Sequence, residues 1–480
     1  MAPPVLSKAS PIIIVGAGVF GLSTAIHLAR RGYKDVTILD QQPYEVSRYS
    51  YDAGCDAASA DYNKVMRAAY GSLKAYQDMG LDAIAEWHLW NSEIKAGQSL
   101  PPGFTQDDVV FVNNGSLELN SKEVLTQHQR DSITNMSKAG VGNTQVVLTN
   151  PKDVARAVQE GFGFAINPFG RPPEENYGLL DTMAGFVYAD KACLFALHKA
   201  KTLGVKTILG GTPGTFKQFL RDSTSRVTGV RTANNDCRPA DLVIMACGGW
   251  TPSLVPQMDN LCETTAGSVS IFQVSTGSPL WHRFAPDNFP TWAYDLKTGR
   301  QGGLYGFPRD PNGAVKIGYR GTKFTNPQLQ PDGVLRSVPI TRWTKNSIRQ
   351  IPQIGADVIS RFVQTFLPEL IPCEVKTRLC WYTDSFDNHF VVDFIPELDG
   401  VMIASGGSGH GFHFLPILGN HVVDRIEGKS EGLLETWAWR KRRAEQTPIN
   451  SIMEGLGSER ALQTQALTRE DSLQAQYNRL

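Results

Sequence analysis

The chain has 480 residues, 41% of them hydrophobic and 20% charged, enough to bury a large core in two domains and too apolar for a disordered or fibrous protein. Lys plus Arg and Asp plus Glu both total 47, so the net charge is zero and no global field marks a nucleic-acid or membrane-surface partner. The cysteine count, seven, is odd, the spacings are irregular and no secretory leader pattern is visible, so the expected setting is reducing and intracellular, cytoplasmic or peroxisomal.

The first apolar stretch, PIIIVGAGVFGLSTAIHLA, is interrupted by Pro11 and three glycines and changes pattern halfway, which argues against a membrane anchor. Residues 12–15 suit a buried parallel strand, GAGVFG places Gly16, Gly18 and Gly21 in a tight turn, and LSTAIHLARRG is helical. The first glycine makes the turn, the second lets the backbone approach a pyrophosphate, and the third lets helix and strand pack closely. A second strand, DVTILD, ends at Asp40, 24 residues after Gly16, where a carboxylate can accept ribose hydroxyls. This unit predicts a bound dinucleotide and leaves nicotinamide and flavin both open.

Downstream, GVKTILGG and VTGVRT read as strands feeding PADLVIMACGGW, a buried strand ending in the small residues Ala246, Gly248 and Gly249. A third piece, DGVMIASGGSGHGFHFLPILGNHVVDRIEG, holds a strand over 401–404, a loop with Gly406, Gly407, Gly409 and Gly411, and then a helix. The nucleotide-binding unit is thus assembled from separated pieces of chain. Between them, RLCWYTDSFDNHFVVD reads as strand, turn and strand, which places the Cys380 thiol in a core or at a cleft. The basic run RKRR at 440–443 reads as a solvated helix face, and the terminal NRL as a weak peroxisomal signal lacking the usual small first residue.

The motifs GAGVFG, AVKIGYR, LCWYT and SGGSGHGFHFLP occur in an order that resembles the FAD-dependent amine oxidases of the monomeric sarcosine oxidase and fructosyl amino acid oxidase (amadoriase) family, which includes saccharopine and pipecolate oxidases. The resemblance covers most of residues 10–430. It implies that Cys380 is joined by a thioether to the 8α carbon of FAD, an electrophilic position that a thiolate can attack. It also implies that Lys316 lies near flavin N5, where its charge would stabilise superoxide as it forms. By the same resemblance Asn63 and Lys64 lie in a loop over the flavin, and Gly409, His410, Gly411 and Phe412 contact it. Arg67 would hold the substrate carboxylate, a task suited to a planar bidentate donor, and Tyr382, on the same strand face as Cys380, would orient the substrate. Lys64 and Arg67 share a face if their segment is helical. His389 is read as shaping a turn, and no zinc-ligand set is apparent.

Two positions depart from the family pattern. His413 stands where a lysine usually helps hold the carboxylate, and a histidine there can be neutral. Arg320 stands where sarcosine oxidases have histidine and fructosyl oxidases have an acid nearby, which argues against a fructosyl substrate. The expected fold is α/β: a discontinuous, doubly wound FAD-binding domain from 1–98, 180–262 and 376–445, a β-rich substrate domain from 99–179 and 263–375, and a tail over 446–480. The implied reaction, by a monomer, oxidises the C–N bond of an N-methyl, cyclic or saccharopine-like amino acid to an imine and reduces oxygen to hydrogen peroxide. Alternatives are a specialised oxidase of an N-methylated aromatic amino acid with internal capture of the imine, a fructosyl amino acid oxidase, a dehydrogenase using another acceptor, and a catalytically silent flavin-binding module.

Overall fold

The computed structural model describes residues 6–296, 299–341, 344 and 348–469; the terminal NRL lies outside them. Ile12–Val15 forms an inner strand of a six-stranded sheet whose order is Val391–Phe394, Val401–Ser405, Leu242–Met245, Ile12–Val15, Val36–Asp40 and Lys206–Leu209. All neighbours are parallel except the Val391–Phe394 edge strand. The uninterrupted apolar run has a direct cause, since both faces of the sheet are covered. Ile12 and Ile14 pack into a cluster with residues of the helices Val19–Arg30, Ala189–Thr202 and Leu418–Ile426, while Ile13 and Val15 join Val227 and Val230 of a three-stranded sheet on the other face. Strands added after Ile12–Val15 lie first on one side of it and then on the other. That reversal opens a crevice beyond the carboxyl ends of Ile12–Val15 and Leu242–Met245.

The second large sheet has eight strands in the order Glu374–Ser385, Cys262–Gln273, Ala314–Phe324, Leu304–Gly306, Thr291–Tyr294, Ser116–Leu119, Gly178–Asp181 and Gln145–Val147. Its two-residue period sorts the chemistry from the packing. Val315, Ile317, Tyr319, Leu379 and Trp381 enter a core with Ile359, Phe362 and Val363 of the helix Gln353–Phe366. The intervening Lys316 and Tyr382 face a cavity between the sheets, and Cys380 packs beside Tyr382 in a separate small cluster.

Several expectations need correction. The strand carrying Cys380 pairs along its length with Cys262–Gln273 and so belongs to the eight-stranded sheet, not to the nucleotide-binding pieces. The peptide then turns and enters the six-stranded sheet as Val391–Phe394. Asn63–Met66 is a strand paired with Gly185–Tyr188, so Lys64 and Arg67 share no helical face. Val227–Thr232 lies in the three-stranded sheet rather than beside Leu242–Met245. Residues 440–443 are not helical; Arg440 is held by both oxygens of Asp387, each at 2.7 Å. Among the described residues no helix is long and apolar enough to cross a membrane.

Candidate active site

At one end of the cavity the glycine turn is fixed by close approach. Gly16 has φ +112°, and a Cβ there would lie 2.3 Å from the Ala246 carbonyl oxygen. A Cβ on Gly21 would meet the Gly16 carbonyl oxygen at 1.8 Å, and one on Gly18 would meet Ser59 Oγ at 2.9 Å. Helix Val19–Arg30 starts at Gly18, which has no side chain to cap it; Val19 N donates to Ser59 Oγ at 3.1 Å, and the positive end of the helix still faces the glycine turn. Asp40 ends the next strand; its Oδ2 accepts from Ala17 N at 2.7 Å and its Oδ1 from Gln42 N at 2.8 Å. Burial pushes its carboxyl up to about 6, against the pull of those two donors. Gly16, Gly18 and Asp40 all line the cavity, of about 900 Å³, that continues to Lys316, Arg320 and Tyr382.

At the other end, Lys316 is 1% exposed, donates to Asp61 Oδ2 at 2.9 Å and to the Asn63 carbonyl at 2.6 Å, and sits 4.5 Å from the Phe307 ring centre. Lys64 donates to the same Asp61 oxygen at 2.7 Å, with its Nζ 3.9 Å from Cys380 Sγ. Burial opposes the charge on all three groups of this cluster. For Asp61 the cations Lys316, Lys64 and Arg378 overcome it and hold the carboxyl well below its usual range. For Lys64 the attraction of Asp61 overcomes it and raises the ammonium. For Lys316 burial wins, Lys64 adds to it, and the ammonium falls to about 8 although Asp61 opposes the fall. Asn63 is fully buried and neither its side-chain oxygen nor its nitrogen has a partner.

Arg67 lines the cavity with its guanidinium 5.4 Å from the Tyr70 ring centre and its buried Nε unpartnered. Tyr70 also reaches His413 Nδ1 at 2.7 Å. Burial, with the charge of Arg67 adding to it, drives the His413 imidazolium well below its usual range, so the ring is neutral. His410 donates from Nε2 to the Asn388 carbonyl at 3.0 Å, and burial lowers it to about 4. Gly411 and Phe412 complete this wall, where a Cβ on Gly411 would touch Phe20 at 3.0 Å. His389 does more than shape a turn, for it lines the cavity and stacks on Tyr76 at 5.7 Å between ring centres.

The geometry thus brings together Lys64, Arg67, Lys316, Arg320, Tyr382, His410 and His413 as cavity lining. Cys380 lies behind this surface, 1% exposed. Sequence reasoning missed Asp61, Tyr70, Tyr305, Lys323 and Asp384. Asp61 had a signal, an acid three residues before Lys64, but its pairing with Lys316 joins positions 255 apart in the chain.

A cavity that begins at a glycine turn on a switch point and ends among buried cations is the layout of an oxidoreductase that binds a dinucleotide across its sheet. Residues 11–425 match the family model described as FAD dependent oxidoreductase, and the chain belongs to that family. It is similar to the L-saccharopine oxidase of Schizosaccharomyces pombe, 25% identical over 90% of this chain and 93% of that one. It is also similar to the peroxisomal sarcosine oxidase of Homo sapiens, 27% identical over 86% and 90%. Among solved structures, a modified fructosyl peptide oxidase from Aspergillus nidulans superposes with a TM-score of 0.76 at 25% identity, covering 96% of this chain and 99% of that one.

FAD fits the residues present. Gly16 and Gly18 line the cavity where a pyrophosphate would lie, the carboxylate of Asp40 keeps acceptor capacity for ribose hydroxyls, and Asn63, with an orphaned buried amide, directly precedes the cavity-lining Lys64.

Proposed function

We propose that the chain oxidises the C–N bond of a secondary or N-substituted amino acid to an imine and passes the electrons to oxygen as hydrogen peroxide. The observation that carries this reading is the single cavity, which runs from the nucleotide-binding turn to Lys316, Arg67 and Tyr382 without a break. FAD supplies the two-electron acceptor for the amine and its reoxidation. The protein's own groups supply position and charge. Arg67 holds the α-carboxylate beside a neutral His413, Tyr382 and Tyr305, whose hydroxyls lie 3.4 Å apart, orient the amine end, and Lys316 places a cation where oxygen is reduced. His410 and His413 are both poor bases, which suits an amine that enters neutral. In this reading residues of the six-stranded sheet hold the nucleotide, and the eight-stranded sheet holds substrate. The similarity to saccharopine and sarcosine oxidases supports an amino acid with a substituted nitrogen. Anaerobic mixing with N-methyl, cyclic and saccharopine-like amino acids should bleach the yellow protein, and readmitted oxygen should yield peroxide. A protein that no amine bleaches would overturn the reading.

Covalent attachment through Cys380 belongs to the same proposal, motivated by the packing of its thiol beside the cavity-lining Tyr382, with Lys64 Nζ 3.9 Å away. Acid-precipitated protein should stay yellow, and Cys380→Ala should release its flavin to the supernatant while keeping its fold and turning over more slowly. Flavin released in full from the unsubstituted protein would show the bond is absent.

A further inference from the structure

The wall of the cavity opposite the nucleotide turn carries more positive charge than it neutralises. Asp384 is fully buried, accepts from Thr265 Oγ1 at 2.5 Å, and pairs with Lys323 Nζ at 3.2 Å and, more distantly, with Arg320 Nη2 at 3.5 Å. Two cations therefore share one carboxylate, and both cations line the cavity. Lys323 also donates to Asn450 Oδ1 at 2.6 Å. Arg320 is the less satisfied of the pair. Its long contact to Asp384 is its one side-chain hydrogen bond among the described residues, and its buried Nε has no partner. Its position is nonetheless fixed. The guanidinium carbon lies 4.1 Å from the Tyr382 ring centre, and its Nη1 fills the space beside Gly409, where a Cβ would come within 1.6 Å. A planar fork of donors, pinned by a ring and a glycine and given only one long contact to an acceptor, is complementary to a carboxylate.

This wall and the station at Arg67 line one cavity. His410 lies in the field of both Arg67 and Arg320, each of which disfavours its protonated form. We infer that Arg320 and Lys323 form a second anion-binding subsite, so that the substrate of this site is a dicarboxylate: an amino acid whose nitrogen substituent or side chain ends in a second carboxylate. The inference rests on the reading of Arg67 as the α-carboxylate station. It adds Lys323 and Asp384 as residues that set specificity, Asp384 by holding the two cations while cancelling only one of them. A neutral polyol at this wall would leave the residual charge uncompensated, so a sugar substituent fits it less well.

The test uses flavin-loaded protein and unreactive probes, ether diacids of graded arm length in which oxygen replaces the substrate nitrogen, each compared with its neutral ω-amide. Binding is read from the perturbation of the flavin spectrum and by calorimetry. The best diacid should bind roughly tenfold or more tightly than its ω-amide, the scale of one charge-assisted hydrogen bond. Arg320→Gln should remove that difference and leave the affinity for the ω-amide nearly unchanged. Lys323→Met should weaken the diacid selectively, and Asp384→Asn, which releases both cations, should tighten it. Spectra and melting behaviour confirm that each variant is folded. If the ω-amide binds in an Arg67-dependent manner but diacids of every length bind no better, the subsite is refuted and the amino-acid reading stands. Equal weakening of diacid and ω-amide by Arg320→Gln would instead make Arg320 the α-carboxylate station, which refutes the subsite. If neither probe binds and no amine bleaches the flavin, both readings fall.

Discussion

Lys316→Met is expected to slow reoxidation of the reduced protein by oxygen about 10²-fold or more, the effect of losing one preorganised charge in a dry site. Reduction by the amine should change little, because the carboxylate and amine are held by other residues. The lysine is positioned from two sides, by Asp61 and by the Asn63 carbonyl, and it is almost wholly removed from water. Its ammonium falls to about 8 through burial, with Lys64 adding to the fall and Asp61 opposing it. The charge is therefore present below pH 8 and lost as the pH rises through that value, so the oxygen step should slow in alkaline solution. The groups around Lys316 that shape this titration are Asp61, Lys64 and Cys380. Asp61→Asn removes the anion that sustains the charge and should move the inflection to lower pH. Stopped-flow measurement of the two half-reactions separates these effects. An equal loss in both halves for Lys316→Met would refute its role at oxygen.

Arg67→Ala is expected to raise the substrate dissociation constant by at least about tenfold, since deleting one member of a buried charged pair costs about 2–5 kcal/mol. Among the described residues no carboxylate lies in salt-bridge distance of Arg67, and its buried Nε is unpartnered, so its acceptor must come from outside the protein. Asp181, a carboxyl that the charge of Arg67 pulls down, is nevertheless pushed up to about 6 by burial and already accepts from Met183 N. Neutral His413 cannot substitute for the lost guanidinium, which is why the effect should exceed that of an ordinary surface arginine. Anaerobic titration of flavin reduction against substrate concentration gives the constant directly. An unchanged constant, with the loss confined to the rate, would assign Arg67 to the chemical step.

Much of this site was readable from local pattern because period and spacing act over a few residues. The strand, glycine turn, helix and acid of residues 12–40 fell where the pattern placed them, and alternation put Cys380 and Tyr382 on one face, while the expectation that Lys316 lies at the site came from the family resemblance. The failures share a physical cause: each depended on a partner far away in the chain. Asn63–Met66 reads as an amphipathic stretch of either kind until Gly185–Tyr188 supplies a strand to pair with. Lys323 is an odd number of residues from Arg320 and should point the other way. An irregularity in the pairing, in which Tyr319 faces Ser268 but Phe324 faces Ala266, lets both reach Asp384. The run at 440–443 looked like a free basic face because nothing in it reveals that Asp387 will capture Arg440.

The strand Glu374–Ser385 leaves one sheet and, after a short turn, the same peptide enters the other as Val391–Phe394, while the cavity of about 900 Å³ is lined by residues of both sheets. The two halves are joined by covalent crossings and by direct hydrogen bonds, such as Ser408 N to the Thr383 carbonyl at 2.9 Å and Arg378 to the Ala60 carbonyl at 3.1 Å. In the proposed reading a cofactor held by the glycine turn on one side and by the lysine wall on the other braces both sheets, and its removal should lower the melting temperature, because a ligand that binds only the folded state stabilises it.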